Sequence, residues 1–409
     1  MIDATQLGSR LRSARERRAL SQQAVADALG VQRTAITNIE TGNRSVSTLE
    51  LARLALIYGR KPADFFDSEV SGAPIVRLRS VYQGKFSADH EAAIEHVQAL
   101  CCEGATLRRI LEPEFTESLP DYGRPLRSSS EAIEHGAEIA REERRRLGLG
   151  SAPVGDVAAM ISNQGVWVAA HALPNDLSGL FMSSAKMGMV VLINGTHASV
   201  RRRFSYAHEY AHVLCDRADD VRVSQGGDDF VEKRANSFAS AFLMPEEGIK
   251  EQLRRLDKGQ SSRQEETIYD VAFDTWETCV IRPPVGSQII TYQDVAIIAR
   301  YFGVSYEAVV WRLKNLGHVS GQDAKRLISQ SDQGRRFIAL LKFQGVLAGG
   351  ASDSNEYNGE DEQELRNQII WLALEAFRRE EISQGLLREL ARKLMIPVED
   401  LLGFAEPMS

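Results

Sequence analysis

The stretch FSYAHEYAHVLCDR, residues 204–217, places two histidines four residues apart, with a glutamate directly after the first. Residues four apart lie on the same face of an α-helix, one turn above each other. His208 and His212 can therefore bring two imidazole nitrogens to one cation. Glu209 lies about 100° round the helix, too far to be a ligand but close enough to take a proton from water on the metal. The stretch predicts a helix that carries a metal site.

A catalytic zinc site has three protein ligands and an open fourth position, so one more ligand is needed. The carboxylates that follow the helix are the candidates: Asp216, Asp219, Asp220, Asp228, Asp229 and Glu232. Glu232 is the best placed because it lies near the start of a second predicted helix, VEKRANSFASAFLMP (231–245). Cys215 is interpreted as a small core residue. The alternative to a metal site is a solvated helix face on which the histidines are unrelated.

Other segments are predicted from their local patterns. Three strands precede the histidine helix: GVWVAAHA (165–172), LSGLFMSS (177–184) and MGMVVLING (187–195). The segment SRQEET (262–267) is predicted to be a surface loop. The segment 293–317 predicts a helix pair whose Val309, Val310, Trp311 and Leu313 form a packed core. The acidic, Gly/Ser-rich residues 349–363 are predicted to be disordered.

The first part of the chain, residues 6–66, predicts a series of short helices. Ser21 is a good N-cap for one of them, and Gly30 is a good stop. Residues 1–69 hold ten basic and eight acidic side chains, a net charge of +2. Because the whole chain has a net charge of −7, the remaining residues have a net charge of −9. A slightly basic N-terminal segment in an otherwise acidic chain favours a nucleic-acid partner at this end.

Composition narrows the class of protein. A chain of 409 residues, 43% hydrophobic and 26% charged, is typical of a soluble protein with two to four domains. Its four cysteines form no CxxC pair, which indicates a reducing compartment and argues against a disulfide framework or a thiolate zinc site. With no apolar signal segment and no run long enough to span a bilayer, we expect a cytoplasmic protein without a membrane partner.

Several segments together resemble the ImmA/IrrE metallopeptidase family. They are LSGLF, VVLING, RRRFSYAHEYAHVLCDR and VEKRANSFASAFLMP, in this order, and the resemblance covers roughly residues 125–320. It implies a gluzincin-like domain with one zinc ion per chain, held by His208, His212 and Glu232, and with Glu209 as base. Members of the family cleave or inactivate partner repressors in stress responses and mobile elements. Arg234 departs from the pattern, since members often carry a second acidic residue there.

Residues 7–66 resemble the XRE family of lambda-repressor-like helix-turn-helix domains, through RSARERRALSQQAVADALGVQRTAITNIETG and the segment after it. In such domains the second helix of the pair enters the major groove. The resemblance places five residues towards the bases: Gln32, Arg33, Thr34, Thr37 and Asn38. Gln22 and Arg44 are expected to contact phosphates, and Arg15 and Glu40 to form an internal ion pair. Related regulators bind paired half-sites, so a homodimer on double-stranded DNA is expected.

The predicted fold is mainly α with a small β-sheet (α+β). An all-α lambda-repressor-like helix-turn-helix domain is expected at residues 1–70 and a helical linker region at 71–124. A gluzincin-like zinc peptidase domain is expected at 125–320, followed by a helical C-terminal region at 321–409.

Three functions remain open from the sequence. The first is a DNA-binding regulator with an active zinc endopeptidase domain, directed at a repressor or antitoxin-like protein. In this hypothesis a predicted strand such as LSGLFM (177–182) could hold the substrate as an added strand. The second is a regulator whose zinc domain is only a sensor or structural unit. The third is a peptidase whose helix-turn-helix domain recruits a protein instead of DNA.

Overall fold

The computed structural model divides the chain into two compact units, Met1–Arg77 and Leu78–Ser409. The described residues are 4–17, 20–58, 62–65, 86–112, 119–217, 221–224, 229–259, 264–270, 275–281, 286–347 and 363–405. The first unit contains all of residues 1–70, whereas the finer boundaries at 124/125 and 320/321 stay predictions. Within the described ranges, no helix is both long enough and apolar enough to cross a membrane.

Four short α-helices and a 3-10 turn make up the described part of the first unit. They are α1 (Ala4–Arg17), α2 (Gln22–Leu29), α3 (Arg33–Glu40), α4 (Thr48–Tyr58) and the turn Pro62–Phe65. The Ser21 side chain accepts a hydrogen bond from the Ala24 amide, and Gly30 ends α2 with a φ of 75°. Both caps are as predicted, because a serine oxygen satisfies a free amide and glycine adopts positive φ without a steric penalty.

The first unit is held by an apolar cluster and one buried ion pair. Leu11 on α1, Val25 on α2 and Ile36 on α3 are almost completely buried in the cluster. Beside it, Arg15 Nε donates to Glu40 Oε1 at 2.6 Å and Arg15 Nη2 donates to Glu40 Oε2 at 3.0 Å. The internal ion pair is therefore confirmed, and it joins α1 to the end of α3.

The described part of the second unit is mainly helical with a minor β component, as predicted, although its strands form two small sheets where one was expected. Its helices are α5 (Ala88–Leu111), α6 (Ser129–Arg146), α7 (Val157–Ser162), α8 (Ser199–Cys215), α9 (Phe230–Leu243), α10 (Glu246–Arg255), α11 (Tyr292–Phe302), α12 (Tyr306–Asn315), α13 (Gly321–Ser329), α14 (Ser331–Leu347), α15 (Gln363–Arg378), α16 (Gln384–Lys393) and α17 (Val398–Ala405). Its strands are β1 (Trp167–His171), β2 (Gly179–Ser184), β3 (Gly188–Asn194), β4 (Val221–Ser224), β5 (Gln264–Asp270) and β6 (Thr275–Ile281).

The larger sheet has the strand order β1-β3-β2-β4. β1 runs parallel to β3, with Trp167 opposite Val190, and β2 runs antiparallel to β3, with Leu180 opposite Leu192. These are the three strands that the sequence predicted before the histidine helix. The side chains of β3 from residue 189 onward are buried, because the strand is central in the sheet.

The strand β2 is an interior strand, and this overturns one expectation. On its second edge β2 pairs with β4, which places Gly179 opposite Ser224 and Met182 opposite Val221. An added substrate strand needs a free edge with unpaired amides and carbonyls. The suggestion that LSGLFM holds a substrate in this way is therefore wrong, because β4 already occupies the edge.

Residues 264–267, predicted to lie in a surface loop, form the start of β5 instead. β5 and β6 make a two-stranded antiparallel sheet in which Gln264 lies opposite Ile281. The charged composition of the segment favoured a loop. Its conformation depends on pairing with a partner strand that no local pattern reveals.

The helix pair α11 and α12 packs into the main core of the second unit. Val309, Val310 and Leu313 are completely buried, as predicted. The prediction that Trp311 lies in the same core is wrong. Its side chain is 49% exposed, and Lys314 Nζ lies 4.9 Å from the ring centroid. Neighbouring positions on a helix point in different directions, so not all of 309–313 can face one core.

The C-terminal region is helical in its described part, as predicted. Ala324 and Leu327 of α13 belong to the same core cluster as Ala207 and Ala211 of α8. The predicted disordered segment at 349–363 lies outside the described residues except for Gln363, which begins α15.

The histidine helix α8 lies against the sheet strands β2 and β3 on one side and against α9 on another. Residues 207–215 are all buried. α9 is held in turn by α6, which approaches it so closely that a Cβ at Gly136 would meet the carbonyl oxygen of Arg234. The two helices that carry the predicted ligands are therefore fixed by packing on several sides.

Candidate metal centre

The rotation of α8 about its axis is fixed by a buried tyrosine in the middle of the histidine motif. Tyr210 Oη donates a hydrogen bond to Glu143 Oε1 on α6, and Arg146 forms an ion pair with the same carboxylate. Burial, reinforced by the Glu143 charge, raises the pKa of Tyr210 above its ordinary value, so the hydroxyl remains a donor. The direction of the neighbouring histidines follows from this rotation.

His208, His212 and Glu232 meet in the interior of the second unit. The two Nε2 atoms lie 3.2 Å apart. Glu232 Oε2 is 3.2 Å from His208 Nε2, and Glu232 Oε1 is 3.4 Å from His212 Nε2. Glu232 reaches them from the first turn of α9, whose start is capped by Asp229. The structure thus brings together the three residues that the sequence predicted as ligands.

The outer nitrogens of both imidazoles are engaged by neighbouring side chains. His212 Nδ1 lies 2.8 Å from Asp216 Oδ2, and His208 Nδ1 lies 3.1 Å from Asn236 Oδ1. Oxygens of an ionised carboxylate and of an amide only accept hydrogen bonds, so each Nδ1 is the donor. In the neutral ring, each Nε2 then carries a lone pair directed at the shared point.

This arrangement fits a divalent metal ion. Two imidazole lone pairs and a carboxylate at one buried point repel each other unless a positive charge lies between them. Two histidines and one glutamate are also a donor set found in catalytic zinc sites. The outer partners of the histidines match the second layer of such sites, where a carboxylate or carbonyl fixes the tautomer and orientation of each ring.

The electrostatics of the cluster favour the same conclusion. Burial opposes a charge on His212, but contacts with Asp216 and Glu232 and the charge of Glu209 outweigh it and raise its pKa to about 9. Burial also opposes ionisation of Glu232, yet the two histidines hold the pKa of its carboxyl far below the usual range. The site therefore stabilises a positive charge among its donors.

Asp216 joins the histidine to a buried arginine. Burial alone would raise the pKa of Asp216, but His212 and Arg234 lower it, so its carboxyl is ionised. Arg234, 2% exposed, donates from Nη2 to both Asp216 oxygens at 2.6 and 2.7 Å. Asp216, which the sequence offered as a possible ligand, thus serves as the outer partner of His212. The unusual Arg234 neutralises that carboxylate.

A cavity of about 480 Å³ lies on the outer side of this pair. Asp216 and Arg234 line it together with Asp121, Arg124 and eight other residues. None of the three clustered ligands lines it. The cavity therefore borders Asp216 and Arg234 and not the three clustered donors.

The remaining candidates near the motif have other roles. Cys215 is buried in the core cluster, and burial raises the pKa of its thiol to about 12, which confirms it as a core residue. Asp229 caps α9, while Asp219, Asp220 and Asp228 lie outside the described residues.

Glu209, which directly follows His208 on α8, is completely buried. Its charge contributes to the raised pKa of His212. Glu209 itself is not one of the three clustered donors, which are His208, His212 and Glu232. Its carboxylate packs against the backbone of β2 at Gly179. The position is compatible with the predicted role of a base beside the metal.

The predicted base-reading residues lie on and just before the helix α3. Gln32 is its N-cap residue and Arg33 its first residue. Gln32, Arg33, Thr34 and Asn38 are exposed, and Thr37 is half-buried. An exposed N-terminal half is what contact with base edges requires, and the individual contacts stay predictions.

The two predicted phosphate contacts are engaged within the first unit. Gln22 donates from Nε2 to Glu40 Oε2 at 2.9 Å and accepts from Thr37 Oγ1 at 3.2 Å. Arg44 pairs with Glu50 at 2.6 Å. Contact with DNA would require these side chains to share or exchange partners.

Two family descriptions match the chain. Residues 6–65 match a helix-turn-helix domain, and residues 161–271 match an IrrE N-terminal-like domain of peptidase family M78. The second range spans the clustered ligands and Glu209. The chain therefore joins a helix-turn-helix domain to an IrrE-type domain, and both resemblances drawn from the sequence are confirmed.

Two solved structures are similar at low identity. One is Bacillus thuringiensis PlcR in complex with the peptide PapR7 and DNA, 11% identical, covering 98% of this chain and 96% of that chain at a TM-score of 0.16. The other is ComR from Streptococcus suis, 12% identical, covering 99% and 97% at a TM-score of 0.16. At these TM-scores neither structure supports an argument about fold or function. No curated protein matches the chain.

Replacing Asp216 by asparagine tests the outer layer of the centre. We expect Asp216→Asn to lower the zinc affinity by about 10- to 100-fold, because the imidazole of His212 loses its charged partner. The affinity is measured by competition with a chromophoric chelator. Asp121→Asn is the control, since Asp121 lines the same cavity but binds only the Gly123 amide among the contacts described. An unchanged affinity in a folded Asp216→Asn chain would contradict the assignment.

Proposed function

We propose that this chain, in which a helix-turn-helix domain precedes an IrrE N-terminal-like domain, is a DNA-binding transcriptional regulator with a zinc-dependent endopeptidase domain. Its substrate is a partner regulatory protein, a repressor or an antitoxin-like protein, in a stress or mobile-element response. The observation that carries the proposal is the buried meeting of His208, His212 and Glu232 next to Glu209. The substrate class rests on the resemblance to the ImmA/IrrE family.

One zinc ion per chain would be held by the three clustered side chains. Two imidazoles and one carboxylate leave a fourth position open, as catalysis requires. A zinc ion bound there would supply Lewis-acid chemistry, which polarises an amide carbonyl and acidifies water. Asp216 and Asn236 would keep the two rings oriented for this task.

Glu209 would move the protons of the reaction. Its carboxylate accepts a proton from the attacking water and later delivers a proton to the nitrogen of the leaving amine. The water oxygen forms a bond to the carbonyl carbon while the carbon–nitrogen bond breaks. The products are a new carboxyl terminus and a new amino terminus. Because Glu209 is buried, its carboxylate has few competing interactions with bulk water.

The first unit would bind a double-stranded DNA operator through the N-terminal half of α3. Arg33 can form two hydrogen bonds to guanine, and Asn38 can do the same with adenine. Gln22 and Arg44 would position the domain through phosphates. Paired half-sites would call for a homodimer. Binding to an operator would require a cytoplasmic protein.

The burial of the centre favours a second candidate function. His208 and Glu232 are each 7% exposed, and His212 and Glu209 are completely buried. A centre so enclosed suits a zinc domain that acts as a sensor or structural unit, with DNA binding as the whole output. The two functions differ in whether Glu209 is needed for any cleavage.

Changing Glu209→Gln removes the base and leaves the three ligands in place. We expect cells with the intact chain to contain a protein fragment that is missing from cells with the variant. Proteomic labelling of new protein N-termini measures this and identifies the substrate. The exposed Glu138→Gln is the control and should give the intact pattern. If no labelled terminus depends on Glu209 under any stress applied, the sensor function replaces the peptidase.

Changing Arg33→Ala tests DNA recognition. Loss of one forked contact to guanine should weaken specific binding by about 1–3 kcal/mol and relax sequence preference at one position. Binding to an operator selected from random DNA is measured at fixed salt, because phosphate contacts depend on ionic strength. The exposed Arg53→Ala on α4 is the control. Equal binding by all three chains would contradict the role given to Arg33, and failure of the intact chain to select any operator would favour a domain that recruits a protein.

A further inference from the structure

A glycine of the central sheet lies directly against the carboxylate of Glu209. We infer that Gly179 is a positioning residue for Glu209, because its missing side chain leaves the space that the carboxylate occupies. The inference rests on the proposed function, in which Glu209 is the base. No sequence pattern indicates this role, because the two residues are thirty positions apart and lie on different elements.

The distances identify Glu209 as the neighbour that requires a glycine. A Cβ atom at position 179 would lie 2.7 Å from Glu209 Oε1, 3.0 Å from Cγ and 3.1 Å from Cδ. These are the three nearest atoms, and all belong to Glu209. A separation of 2.7 Å is shorter than carbon and oxygen atoms tolerate without a displacement.

The backbone conformation does not require a glycine here. Gly179 does not appear among the described residues with positive φ, and it lies in the regular pairing of β2. An alanine could adopt the same strand conformation without strain. The space for Glu209 is therefore the physical reason for a glycine at this position.

The strand cannot easily move away to make room for a methyl group. Gly179 lies opposite Ile193 of β3 and Ser224 of β4, so β2 is held on both edges. The two residues before Gly179 are also held. The backbone N–H of Asn194 donates to Ser178 O and its side-chain Nδ2 donates to Leu177 O, each at 3.0 Å. A methyl group at 179 would therefore displace the carboxylate and not the strand.

The displacement should affect the base and spare the metal ligands. A shift of about 1 Å in a catalytic group can reduce the rate by about 100-fold. The atoms nearest to position 179 include none from His208, His212 or Glu232. Zinc affinity should consequently be the same with and without the methyl group.

The test compares Gly179→Ala in two backgrounds of the zinc-loaded full chain. With Glu209 present, the methyl group should lower the melting temperature by about 2–6 °C through overpacking. With Glu209→Ala, which empties the space, the same change should shift it by less than about 1 °C. Gly321→Ala, where no atom lies within 4 Å of the added Cβ, is the control in both backgrounds.

Two further measurements separate positioning from a general loss of structure. Zinc affinity by chelator competition should be unchanged in Gly179→Ala. With a peptide spanning the bond that N-terminal labelling identifies, kcat should fall by about 100-fold while KM is kept.

Equal losses of melting temperature in both backgrounds would overturn the inference, because the methyl group would then be clashing with something other than Glu209. A loss of melting temperature that occurs only when Glu209 is present, together with an unchanged kcat, would overturn the inference as well. If no cleavage depends on Glu209, the proposed function fails, and the coupling between positions 179 and 209 decides the steric inference independently.

Discussion

Two imidazole nitrogens and a carboxylate that face one point inside a protein need a positive charge between them. The packing of α6, α8 and α9 holds these three groups at that point. Burying such groups without compensation is costly. His208 and His212 cannot rotate away, because each ring is also held at its outer nitrogen. Glu232 cannot withdraw, because α9 is packed against α6 and α8. The meeting of the three donors is therefore a consequence of how three helices pack.

Charges of alternating sign extend outward from this point. Glu232 lies on one side of His212, and Asp216 and then Arg234 follow on the other. Each group is stabilised by a neighbour of opposite sign, which is the condition for keeping charged side chains in an interior. Arg234 acts through Asp216, whose carboxylate it neutralises. The arginine at position 234 thus contacts the outer partner of His212 and leaves the three clustered donors unchanged.

Local geometry explains which parts of the site could be predicted from the sequence. His208 and His212 share a face of any helix, and Glu232 begins the next helical pattern along the chain. The interior position of β2, the hidden pairing of β5 with β6 and the roles of Asp216 and Gly179 could not be predicted in this way. They depend on which elements meet and in what rotation, and this is set by non-local packing that no residue pattern along α8 contains.

X-ray absorption at the zinc edge of the purified full chain tests the central claim most directly. The account predicts one zinc ion per chain, with only nitrogen and oxygen neighbours at about 2.0–2.2 Å and the multiple scattering of two imidazole rings. A sulfur neighbour at about 2.3 Å, or a spectrum without imidazole scattering, would contradict it. In that case the meeting of His208, His212 and Glu232 would not be the metal centre.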